Sequence, residues 1–205
     1  MNNKPATQVA VIAVFFQIAL QFVFLYISPD TFRLNPYIRY ILSGLATLIY
    51  PLILIFLLSV LKFFHEKNNI ITALTIYIAF TVLYNILNIT AGFWGTSLVT
   101  YYSVANGIHF LMELYLVATL FMVKHPVIRS GFILFAVLLL VSSITVLVLP
   151  MLFGMLNISF ELFRYIYLVN VLPLIAAIII FNKTAEGTKN VDFTSEKPLF
   201  KDEPF

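Results

Sequence analysis

The sequence predicts an all-α integral membrane protein, a bundle of about six transmembrane helices with both termini in the cytoplasm. Three observations predict it. The composition is 61% hydrophobic and 10% charged, with a mean hydropathy of +1.00. A soluble domain carries about 25% charged residues, so too little polar surface is left here to face water. The few charges separate apolar runs of about 20 residues or more, the length that crosses a bilayer. Lysine and arginine also fall unevenly on the two sides of those runs.

The elements follow in order. Residues 5–29 carry no charge between Lys4 and Asp30, which predicts a first span over residues 7–28. The run is too long for the apolar region of a secretory signal, and no small-x-small cleavage site follows it, so it reads as an uncleaved helix. Asn35-Pro36 supplies an N-cap and a first-turn proline for a second span over residues 37–62. The stretch from Lys67 to Lys124 is too long for one span and divides at Ala91-Gly92-Phe93-Trp94-Gly95-Thr96, a turn with interface aromatics. Its halves predict spans over residues 69–90 and 102–123. Pro126 opens a fifth span over residues 128–150, and Pro150 is expected to end it. Ser159 caps a sixth over residues 160–182, with Glu161 in the first turn, where the helix dipole favours an acid. Residues 1–182 therefore form one domain. Residues 183–205 mix charges and prolines with few large apolar groups and are expected to be a disordered cytoplasmic tail. Strands are not expected, because the apolar runs are continuous and far exceed a barrel strand's ten or so alternating residues.

Orientation comes from the positive charges. With the N-terminus inside, the cytoplasmic segments hold Lys4, Lys62, Lys67, Lys124, Arg129, Lys183, Lys189, Lys197 and Lys201. The outer segments hold Arg33, Arg39 and Arg164. That nine-to-three split favours the N-in arrangement. Abundant Ile, Asn, Lys and Phe with minimal loops suggest a multi-pass protein of a prokaryotic cell membrane.

Polar residues at membrane depth are the functional candidates, because an ionisable group in the bilayer costs several kcal/mol or more. Asn106, His109 and Glu113 lie at i, i+3 and i+7 in the fourth span, a stripe about 60° wide at 100° per residue. A spacing of four lets the imidazole and the carboxylate meet. In the third span Tyr77, Thr81, Tyr84, Asn85 and Asn88 share a face about 100° wide. The first span adds Gln17 and Gln21, and the sixth adds Arg164, Tyr167 and Asn170. In the N-in topology Gln21, Asn85, Asn88, Asn106, His109, Glu161 and Arg164 lie in the outer half of the membrane. Gln17, Glu113 and Asn170 lie nearer the middle, and the inner half is almost wholly apolar. Four helices presenting polar groups at one depth imply a cavity open toward the outside. Pro51 and Pro173 deprive the Thr47 and Val169 carbonyls of their usual helical donors at similar depth.

Several chemistries drop out. The absence of cysteine excludes disulfides and thiolate catalysis. His109 and Glu113 offer two metal donors where zinc usually takes three from the protein, so no metal is expected. His65 and His125 lie on the cytoplasmic side. No midmembrane lysine exists for a retinal Schiff base, and no span holds the paired aspartates of an intramembrane protease. No nucleophile motif marks Ser103, Ser142 or Ser143. No phosphate cradle and no basic surface points to nucleic acid, and no cofactor is expected.

Three readings remain. The first is a binding or transport protein whose outer-half pocket admits a small solute or proton. The second is a structural or assembly protein whose polar groups only hold helices together. The third is a membrane-embedded enzyme acting on a lipid-like substrate. The lipid bilayer is the one certain partner, and oligomerisation is left open.

Overall fold

The computed structural model describes residues 4–27, 36–90, 99–156 and 165–190. Among them every regular element is helical. In chain order these are α1 (Lys4–Tyr26), α2 (Pro36–Phe63), α3 (Asn68–Thr90), α4 (Val99–Leu120), α5 (Pro126–Met155), a single turn α6 (Ile166–Val169) and α7 (Val171–Asn190). A helix bonds all its interior N–H and C=O groups within itself, which is what an apolar chain in lipid requires. Among the described residues four stretches are long and apolar enough to cross a membrane: Ala6–Tyr26, Tyr40–Phe63, Asn68–Leu87 and Pro126–Leu149. Val104–Leu120 in α4 is a shorter apolar helix. The chain is thus a multi-pass helical membrane bundle.

The helices form a ring in chain order. Each of α1 to α5 packs on its neighbours, α5 packs most extensively on α7, and α7 returns to α1. Across the ring α2 also packs on α7, where the Phe56 and Phe181 rings meet edge to face at 6.5 Å. A belt of exposed apolar side chains surrounds the bundle, among them Ile12, Phe15, Leu48, Leu83, Leu111 and Val141. Such a surface suits lipid and would be an extended apolar patch in water.

The two ends of the bundle differ. The basic end carries Lys62, Lys67, Lys124, Arg129 and Lys183. There Ile53, Leu57, Leu61, Ile70, Leu74, Leu116, Leu120, Phe132, Phe135, Ile180 and Phe181 are almost fully buried. Helices α5 and α7 approach closely at Gly131, where a Cβ would stand 2.7 Å from Ile180 Cγ1. Glycine is needed for that approach.

Two short turns close this end. α2 finishes with His65 at φ 52°, its N–H bonded to the Lys62 carbonyl (3.1 Å) and the Glu66 N–H to the Leu61 carbonyl (3.0 Å). This is the Schellman arrangement, with histidine in the left-handed position usually given to glycine. It delivers the Glu66 carboxylate to the α4–α5 turn. There Glu66 Oε1 accepts the backbone N–H groups of Lys124 (2.9 Å) and His125 (2.7 Å). The Phe64 ring also lies 4.4 Å from the His125 ring, centroid to centroid. His125 is extended (ψ 120°), as a residue before proline should be, and Pro126 opens α5 as its position predicts.

Three expectations about helix ends need correction or extension. Pro150 does not end the fifth helix, which continues to Met155. Its fixed φ fits a helix, and the missing N–H leaves only the Val146 carbonyl without its usual donor. The sixth span is not one helix. It breaks at Asn170, three residues before Pro173, whose ring disfavours the preceding turn. Residues 183–190, expected in the tail, continue α7. The Lys183 ammonium bonds Ser130 Oγ (2.6 Å), and the buried Thr184 hydroxyl donates to the Ile180 carbonyl (2.8 Å). The expected turn at residues 91–96, the Asn35 cap, Ser159, Glu161 and residues 191–205 lie outside the described residues.

Candidate functional site: a polar cavity inside the bundle

Away from the basic end the ring of helices encloses space. The cavity has a volume of about 460 Å³ and is lined from six helical segments. α1 contributes Gln17 and Gln21. α2 contributes Ala46, Thr47 and Tyr50. α3 contributes Tyr77, Thr81, Tyr84 and Asn85. α4 contributes Asn106, His109, Phe110 and Glu113. α5 contributes Leu139, Ser142, Ser143, Val146 and Leu147. Asn170, at the break between α6 and α7, lines it together with Pro173 and Leu174.

Local periodicity explains each contribution. On α1 the inward stripe runs Ala10, Val14, Gln17, Gln21, a spacing of three and four that keeps one face toward the ring interior. On α3 it runs Ile70, Ala73, Leu74, Tyr77, Thr81 and then Tyr84 and Asn85. The same stripe therefore changes from aliphatic to polar along its length. The α3 and α4 stripes face each other. The Tyr84 hydroxyl bonds Asn106 Oδ1, and the His109 ring lies among Tyr84, Tyr77 and Phe80, with centroid distances of 4.6, 5.5 and 6.3 Å.

Glu113 is the acidic group of the cavity. It is buried, its Oε1 accepts the Ser143 hydroxyl, and its Oε2 lies 3.9 Å from His109 Nδ1. That is ion-pair distance but too long for a hydrogen bond. The Tyr50 and Tyr77 side chains lie close enough to interact with each other and with the carboxylate. On the facing wall Ser142 Oγ donates to Asn170 Oδ1 at 3.2 Å. A carboxylate has about four acceptor positions, so Glu113 retains unfilled capacity.

Three deeply buried oxygens have no partner. Gln17 Oε1, Gln21 Oε1 and Thr81 Oγ1 make no hydrogen bond among the described residues, although their side chains are only 4%, 8% and 3% exposed. All three residues line the cavity.

Of the residues singled out from the sequence, ten polar ones come together here: Gln17, Gln21, Tyr77, Thr81, Tyr84, Asn85, Asn106, His109, Glu113 and Asn170. Arg164 lies outside the described residues, as does the side chain of Asn88. The sequence reading missed Tyr50 and treated Ser142 and Ser143 only as possible nucleophiles. Ser143 instead donates to Glu113. Their signal was present as adjacent hydroxyls in an otherwise apolar span, at the depth of Glu113. His109 and Glu113 are two donors, and among the described residues no three His, Asp or Glu side chains cluster as a metal ion would need.

Fold and site together define a class: a multi-pass helical membrane protein with a polar cavity inside its bundle. No protein-family model matches the chain, and neither the curated proteins nor the solved structures include a significant match.

Proposed function

We propose that this chain is a small-solute binding or transport protein of the cell membrane, with its ligand held in the cavity between the helices. The observation that carries the reading is the trio of unpartnered oxygens on Gln17, Gln21 and Thr81 around that cavity. A buried polar atom left without a hydrogen bond costs about 1–3 kcal/mol. Helix-to-helix glue would have removed the deficit, since glue works by pairing. A polar solute, or the water it displaces, recovers those bonds. Glu113 and His109 add a titratable pair through which a proton could accompany the solute. The Lys/Arg asymmetry supports a cavity opening away from the cytoplasm.

The cysteine-free chain makes the test direct. Ala46→Cys places a thiol on the cavity wall, and Leu57→Cys places one in the packed half. A membrane-impermeant thiol reagent added from outside should modify position 46 and spare position 57. A thermal-shift screen of small polar solutes on the purified protein should then find at least one that raises Tm. Two inert thiols and a flat screen would leave the structural reading standing and remove this one. A periplasm-active reporter fused after residue 95 should signal and one after residue 205 should not; the reverse would turn the cavity toward the cytoplasm.

A further inference from the structure

The cavity wall presents the Glu113 carboxylate and the unpartnered amide oxygens of Gln17 and Gln21 as acceptors, beside the Thr81 hydroxyl. No lysine or arginine lines the cavity among the described residues. His109 does not close on Glu113. Its ring is held among Tyr84, Tyr77 and Phe80, and its nearest nitrogen stops 3.9 Å from the carboxylate. Aromatic rings complete the wall, from Tyr50, Tyr77, Tyr84 and Phe110.

A buried carboxylate, free amide oxygens and several aromatic faces share one complement. We infer that the cavity takes a small organic cation, an amine or hydroxyl-bearing ammonium compound, with its positive charge at Glu113 and the rings and its donors toward Gln17 and Gln21. Two physical effects favour it over a neutral solute. Attraction between opposite charges is several-fold stronger where water is excluded than in bulk. Ring faces attract ammonium groups by their quadrupole, most strongly when both are desolvated. An anion would meet Glu113 with no compensating lysine or arginine among the described residues. This inference rests on the open-cavity reading above and narrows it to a ligand class.

The test uses full-length protein carrying Ala46→Cys. Two thiosulfonates of similar size are compared, one bearing a trimethylammonium group and one a sulfonate, each rate normalised to a free thiol in solution. A cleft of one charge sign raises the local concentration of its counterion by roughly 10- to 1000-fold. The cationic reagent should therefore react at least about tenfold faster. Choline should slow that reaction. Its neutral isostere 3,3-dimethylbutan-1-ol, and sodium chloride at matched ionic strength, should not. Glu113→Gln should bring the two normalised rates together, and if that variant fails to fold the parent ratio and the choline comparison still decide. Equal rates, a faster sulfonate, or equal protection by choline and either control would overturn the cation while leaving an open cavity. A thiol that neither reagent reaches would overturn both readings.

Discussion

The same helices build two unlike regions. Toward the basic end α2, α3, α4, α5 and α7 meet through Leu57, Leu61, Leu74, Leu120, Phe132 and Phe181, with almost no exposed surface among them. Two or three turns further along, the inward positions become Gln21, Tyr50, Thr81, His109 and Ser143, and the helices stand around a space instead of filling it. The backbone is helical in both regions, so the difference lies in the side chains. In lipid, helices associate through close van der Waals packing and interhelical hydrogen bonds, not through exclusion of water. Interlocking aliphatic and aromatic groups satisfy the first condition at the basic end. In the cavity the polar groups meet the second only in part, and the shortfall collects on Gln17, Gln21 and Thr81. One region is filled by interlocking side chains, and the other keeps unpartnered polar groups around a space.

That contrast can be broken or sharpened by substitution, read as thermal or denaturant unfolding in detergent. The largest effect is expected at Phe132, which is fully buried between α5 and its neighbours. Phe132→Ala should destabilise by about 3–5 kcal/mol, the usual cost of emptying a packed aromatic site. A loss below about 1 kcal/mol would show that this region is not tightly filled.

Next comes the closure between the two turns. Glu66→Ala strips the acceptor from the Lys124 and His125 backbone N–H groups. It should cost about 1.5–3 kcal/mol, the range for hydrogen bonds to a charged group. Glu66→Gln keeps a carbonyl oxygen in place and should cost less. Equal losses for both would mean that the charge, not the bonds, matters.

Gly131→Ala tests the α5–α7 crossing. The added carbon would meet Ile180 Cγ1 at 2.7 Å, so one of the helices or the Ile180 side chain must move. Overpacking of this kind costs about 1–3 kcal/mol. If the protein tolerates it without a change in Tm, the crossing is looser than the geometry shows.

The smallest effect should have the opposite sign. Gln17→Leu removes an orphaned buried acceptor and fills part of the cavity, and should stabilise the protein by about 1 kcal/mol. It should also weaken any protection of the Ala46→Cys thiol by a bound solute. A destabilised Gln17→Leu would place Gln17 in a structural hydrogen bond and blur the contrast between the regions.

Much of the site was legible because depth and helical face are local properties. Counting along each apolar run from its flanking charges placed Gln17, Gln21, Asn85, Asn106, His109, Glu113 and Asn170 near one level, and 3.6-residue periodicity put those of the third and fourth spans on single faces. Tyr50 escaped because a tyrosine beside Pro51 in an apolar helix looks the same whether it faces lipid or the interior. Glu66 escaped because its role depends on a turn that is 58 residues distant in sequence. The helix ends at Met155 and Asn190 departed from expectation for a related reason. Whether a helix survives a proline, or persists into a charged segment, depends on what the neighbouring helices offer.

By itself the sequence determined that the chain is helical and that lipid surrounds it, and it led to an expected depth for each polar group. These follow from backbone hydrogen bonds that must be met within each segment and from the cost of placing charge in hydrocarbon. Only the tertiary structure decided that α7 returns to α1, that Glu113 meets Ser143 rather than sealing against His109, and that the ring leaves space at its centre. Those outcomes depend on which faces of distant helices interlock, and such contacts are weak individually and decided by the whole bundle at once.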